Sequence, residues 1–165
     1  MAHFLITQLQ FAKQQWLAGH IGLKPEDAHK RVGQSNSISW MVAHLAAFDQ
    51  KLWWEQRGGN PALNDMVKQC SYGQPASIPD FGGSMAVWQT IQDHIDPILL
   101  AITAEDLGKP HAPQRNTYEN TGTLILRQTW HYWYHLGEMQ SIRQALGHKN
   151  LQQYVGRIPF EAQWT

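Results

Sequence analysis

One cysteine, Cys70, stands among 165 residues, so no internal disulfide can form and the chain suits a reducing compartment. No motif around it suggests an activated thiol. Charge is also scarce: Asp, Glu, Lys and Arg make up 16%, below the usual quarter, and thirteen basic side chains cancel thirteen acidic ones. Without a basic excess or a Lys/Arg run to neutralise phosphates, nucleic acid and anionic membrane are not expected as partners. The chain also lacks an eighteen-residue apolar run, its mean hydropathy is -0.45, and its first residues lack a signal peptide's basic start and cleavage site. A cytoplasmic location is the expectation. The size suits one domain, residues 1–165, able to bury a core without disulfides. What exists in excess is histidine, nine residues, and tryptophan, eight, and any specialised chemistry is sought there.

Period-two alternation is missing as well, which removes the usual signal for strands. Four stretches instead carry apolar residues three or four apart. The first runs from Phe4 to Ile21 through Leu5, Leu9, Ala12 and Trp16. The second follows the capping candidates of Gln34-Ser35-Asn36-Ser37 and continues to about Gln56, before Gly58-Gly59. The third spans Ser84 to Thr103, where Pro97 predicts a kink or two shorter helices. The fourth runs from Thr121 to Leu146, with Gly147 as its stop. The chain therefore reads as all-α. A long Gly- and Pro-containing link between the second and third helices, Gly58 to Gly83, suits the crossover of a four-helix bundle. The tail 148–165 carries Tyr154, Ile158, Phe160 and Trp164 as anchors for packing on that bundle.

The fourth helix holds the informative anomaly. Its inner seam is Leu124, Gln128, His131, His135, Glu138, Ile142 and Ala145, apolar at its ends and polar in the middle. Burying that many polar groups without partners is costly. Imidazoles four residues apart share a helix face and can reach one metal ion at about 2.0 to 2.1 Å. In a chain with nine histidines the spacing alone arises by chance roughly 0.5 times, so the pair by itself is a weak motif, equally readable as hydrogen-bonded or solvated. His44, beside the Met41-Leu45-Phe48 stripe of the second helix, offers a third ligand or a satisfied core-edge histidine. Three imidazoles on a divalent ion would leave a coordination position open, which suits chemistry more than structure.

The segments NSISWMVAHL and HYWYHLGEMQSIRQALG, about ninety residues apart, resemble the DinB-like superfamily, also called YfiT-like metalloenzymes, over nearly the whole chain. The resemblance implies a four-helix bundle with a long crossover between helices 2 and 3, and divalent-metal ligands at His44, His131 and His135. Many members place a histidine and an arginine around the last ligand; this chain has Tyr134 and Leu136 there, and keeps Gly137-Glu138. Zn²⁺ or Ni²⁺ is the expected ion. Glu138 is a candidate to orient an imidazole or serve as general base, and Gln128 a lesser candidate with solvent as its alternative environment. Gly137 is expected to let a neighbour approach closely. His94 is expected to be structural, and His3, His20, His29, His111 and His148 to be solvated near helix ends. Of the adjacent Trp53 and Trp54, at least one is expected at the surface.

Three functions are consistent with these residues. The resemblance implies a transferase or isomerase in which the ion activates a low-molecular-weight thiol as cosubstrate toward a small electrophile. A metal-dependent hydrolase would use the same triad, with Glu138 accepting a proton. A non-catalytic, stress-associated metal-binding protein would instead use the ion as a structural pin. A homodimer is expected from the tryptophan surplus and from similar proteins.

Overall fold

The computed structural model describes residues 3–55, 65–111 and 119–154. Among them the fold is all-α, with no strand and a single antiparallel bridge between Pro110 and Asn120. Four longer helices carry it: α1 (Phe4–Ala18), α3 (Ile38–Asp49), α5 (Phe81–Leu100) and α6 (Thr121–Ala145). Two short ones, α2 (Pro25–Ala28) and α4 (Asp65–Gln69), carry no amphipathic period long enough to read in sequence. No helix among the described residues is long and apolar enough to cross a membrane.

Two compact units divide the chain. The first contains the described residues 3–21, 99–111, 119–140 and 149–154. Within it, His3 caps α1, its Nδ1 accepting the Leu5 N–H at 3.2 Å, and Ile6, Leu9, Ala12 and Trp16 form the buried face. The α6 start is capped by Asn120, whose Oδ1 accepts the Thr123 N–H at 2.8 Å. Trp16 meets Tyr132 edge-on at 6.3 Å, and both are fully buried. Gly19 sits where helical Leu136 and Met139 come closest, and a Cβ there would strike both side chains. The tail is tied down as far as it is described: Gln140 donates to the Gln152 carbonyl at 2.7 Å, and Tyr154 lies edge-on to Trp133. The proposed anchors Ile158, Phe160 and Trp164 lie outside the described residues.

The second unit comprises Gly22–Ile98 and Ser141–His148. Its central feature is α3, where every residue from Ile38 to Ala47 is buried, so this helix is enclosed on all sides rather than amphipathic. Ser37 caps it by accepting the Trp40 N–H at 3.2 Å. Contrary to the sequence reading of one α-helix to Gln56, α3 ends at Asp49 and passes into a π-helical turn, Gln50–Trp54. That wider turn alters the angle between neighbouring side chains. Trp53 is consequently buried, and Trp54 is half-buried and stacked on His94 at 4.2 Å, so neither is at the surface. The Gly58-Gly59 stop lies outside the described residues.

α5 starts three residues earlier than its apolar spacing indicates, because Asp80 caps it through the Gly83 N–H at 2.6 Å. It continues through Pro97 as one helix and ends three residues later, so the alternative of two shorter helices is corrected. Pro97 has no N–H to offer the carbonyl of Asp93 one turn earlier, and Asp93 is exposed. Gly147, at φ 84°, terminates α6 as expected. The histidines read as solvated have definite partners: His29 accepts the Phe81 N–H at 2.9 Å, and His148 lies between Arg143 and Asp27 at 3.1 Å from each.

Candidate metal centre

α3 is apolar almost throughout, yet His44 is carried on it at 8% exposure. A polar ring so enclosed needs a partner at each nitrogen. Nδ1 has one, since it donates to the Cys70 main-chain carbonyl at 2.8 Å. A carbonyl oxygen has no proton to give, so Nδ1 holds the proton and Nε2 of the neutral ring keeps its lone pair. Trp40, one turn earlier, stacks on the imidazole with centroids 4.5 Å apart and planes at 10°.

α6 supplies the pair the sequence singles out. His135 is buried, and its Nδ1 lies 2.6 Å from Glu138 Oε2. The carboxylate accepts that N–H, and Nε2 is again the nitrogen with the lone pair. His135 Nε2 and His131 Nε2 are 2.9 Å apart. Two imidazole nitrogens at that distance need a proton or a cation between their lone pairs. Bonds of about 2.0 to 2.1 Å at angles of 90–109° separate two ligand nitrogens by about 2.9 to 3.4 Å, so the pair already has the spacing of ligands to one ion.

The ligand atoms of His44, His131 and His135 all lie within 4.8 Å of one another. The donor set fits a divalent metal: three neutral nitrogens, two with the opposite ring nitrogen anchored, and no fourth His, Cys, Asp or Glu in the group among the described residues.

Other candidates fall into place around this group. Glu138, 30% exposed, is joined to His135 and reaches the solvent edge. Gln128 is wholly buried, not in solvent as its alternative reading had it. His94 is exposed on α5, stacked on Trp54 and donating its Nδ1–H to the Thr90 carbonyl one turn earlier in the same helix. Gly137 is exposed and a Cβ there meets nothing within 4 Å, so close approach does not account for it; Gly19 has that role instead. Of the tryptophans flanking the ligands, Trp40 touches one, Trp133 packs with Phe11 and Tyr154, and Trp130 is 63% exposed. The Cys70 carbonyl escaped the sequence reading because a main-chain acceptor has no residue-type signature.

Neither curated proteins nor solved structures gave a match to this chain. A family model described as the DinB superfamily does match, over residues 8–139, a span that includes all three histidines and most of the chain. With the helical fold and the histidine order in agreement, the chain belongs to the DinB superfamily.

Proposed function

We propose that this protein is a metal-dependent enzyme, a thiol-dependent S-transferase using Zn²⁺ or Ni²⁺ held by His44, His131 and His135. The observation that carries the reading is the gathering of three imidazoles, two with Nδ1 already engaged, into one group without a fourth protein ligand among the described residues. An ion there would supply a Lewis acid that favours the deprotonated, nucleophilic form of a thiol. His44 and His135 act through Nε2, because the Cys70 carbonyl and Glu138 fix the proton on Nδ1. Glu138 serves as an orienting group, its Oε2 being occupied by His135. Cys70 does not supply the nucleophile: its side chain is fully buried and burial pushes its thiol pKa up. The thiol is therefore a low-molecular-weight cosubstrate, whose sulfur forms a bond to an electrophilic carbon as the leaving group departs. A cytoplasmic homodimer acting on a small molecule, away from nucleic acid and membrane, completes the reading.

Metal analysis of the wild type beside His44→Ala, His131→Ala and His135→Ala tests the ligands. About one ion per chain is expected in the wild type, with lower occupancy and retained helix in each variant. Full occupancy in all three rejects the assignment, and loss of fold with loss of metal favours a structural pin. Turnover assays with thiol plus electrophile, and with thiol-free esters or amides, separate transferase from hydrolase.

A further inference from the structure

Stacking on Trp40 constrains the plane of the His44 ring, but stacking alone does not distinguish the ring from its half-turn flip, which exchanges Nδ1 with Cδ2 and Nε2 with Cε1. The Cys70 carbonyl, 2.8 Å from Nδ1, favours the orientation that presents Nδ1–H to it over the one that presents Cδ2, and so leaves the lone pair on Nε2. Cys70 follows α4 directly, in the link between α3 and α5, twenty-six residues from His44 in sequence. Its side chain is wholly buried, with Sγ 3.5 Å from the Ser77 hydroxyl. Two main-chain bonds close the surrounding turns, Ser71 N–H to the Lys68 carbonyl at 3.3 Å and Gln74 N–H to the Ser71 carbonyl at 3.2 Å. Outside these bonds the segment is exposed: residues 72–76 all face solvent, Tyr72 at 95%.

We propose that the Cys70 turn is the positioning element of His44, its carbonyl selecting the ring orientation with the lone pair on Nε2 and its buried side chain seating that carbonyl. The tie works in both directions. The buried imidazole holds the turn closed, so breaking the Nδ1–H bond releases Cys70 to solvent. Being the only cysteine in the chain, Cys70 reports this opening without ambiguity. A thiol reagent must reach Sγ, and because the Cys70 side chain is wholly buried, labelling waits for the turn to open.

The test is the rate of Cys70 labelling by a maleimide in the full chain, first with chelator present. His44→Asn places an amide N–H close to where Nδ1 stands and keeps a donor for the carbonyl. His44→Gln carries its amide out toward the Nε2 position and leaves the carbonyl without that donor, as does His44→Ala. Labelling about tenfold faster in His44→Ala and His44→Gln, with His44→Asn within about threefold of wild type, is expected when local opening controls access. Equal rates in wild type and all three variants, or His44→Asn as fast as His44→Gln, overturn the proposal. Should His44→Ala unfold, the Gln and Asn pair still decides it. A second arm rests on the metal reading and adds Zn²⁺ to the wild type. Labelling slowed about fivefold or more is expected, since a ligated ring holds the turn more firmly. Zn²⁺ that binds by metal analysis without slowing the label overturns the coupling. Zn²⁺ that fails to bind rejects the metal reading, while the chelated variant series still decides the positioning role.

Discussion

His135 and Glu138 are joined across 2.6 Å, Nδ1 to Oε2, by residues three apart on α6. The helix itself sets the pairing, because side chains at that separation lie on one face. A carboxylate on the far nitrogen makes an imidazole a better ligand and fixes its orientation. Glu138→Ala is therefore expected to weaken divalent-metal affinity about 10- to 100-fold. Glu138→Gln, which can still offer an acceptor, should lose less. Competition against a chromophoric chelator measures both, and affinities equal to wild type would show the carboxylate to be a bystander.

The helices were legible because apolar spacing leaves a pattern in residue type, whereas the His131–His135 pair left a weak one and His44 joined it through the family resemblance. Leu124, Gln128, His131, His135 and Glu138 read as a seam whose polar middle needed explaining, and all five are buried or half-buried. The groups that orient the ligands were only half legible. Glu138 is visible as an acid three residues after a histidine, whereas the Cys70 carbonyl is an acceptor that any residue could supply. The π-helical turn after Asp49 escaped for a different reason: QKLWW fits an α-helix locally, and the wider turn accompanies a tertiary bond from Gln92 to Asp49 and a bond from Gln50 to Glu55, five residues on.

Two glycines should respond to alanine with opposite sign. At Gly137 a Cβ meets nothing within 4 Å, so Gly137→Ala gains helix propensity and should stabilise by about 0.5–1 kcal/mol. At Gly19 a Cβ runs into Met139 and Leu136, with the Tyr154 hydroxyl at 3.1 Å. Overpacking typically costs about 1–3 kcal/mol, which exceeds the propensity gain, so Gly19→Ala should destabilise. Urea unfolding of the two variants checks the signs, and a stabilised Gly19→Ala would show that the side chains yield freely.

Acid should loosen the α2 region. Hydrogen bonds from Lys30 and then His148 hold the Asp27 carboxyl below its ordinary pKa of 3.8. A carboxylate depressed in the folded state contributes stability above its unfolded pKa and loses it as pH falls through the folded value. The loss therefore belongs to pH below about 4, and Asp27→Asn should remove it. Thermal melts between pH 6 and pH 2 should show a shallower decline for Asp27→Asn than for wild type. Parallel declines would mean that the carboxylate contributes nothing to the pH dependence.

The Asp49–Gln92 bond should prove unequal to the sum of its halves. Asp49 is fully buried at the end of α3, and Gln92, also buried, donates Nε2 to its Oδ2 across 2.8 Å from α5. Hydrogen bonds to charged groups contribute about 1.5–3 kcal/mol, and removing one partner leaves the other with the cost of its desolvation. Gln92→Leu, which keeps the volume and deletes the donor, should thus destabilise by about 2 kcal/mol. Replacing both residues with leucine removes the buried carboxylate together with its need for a donor, as in buried polar pairs that exchange for apolar ones with little loss. The double variant should be less destabilised than the two single variants added together, by about 1–2 kcal/mol of coupling. Denaturant unfolding of the four proteins in the cycle measures that difference. Strict additivity would mean that α3 and α5 gain nothing specific from the pair, and that the carboxylate is held by its other surroundings.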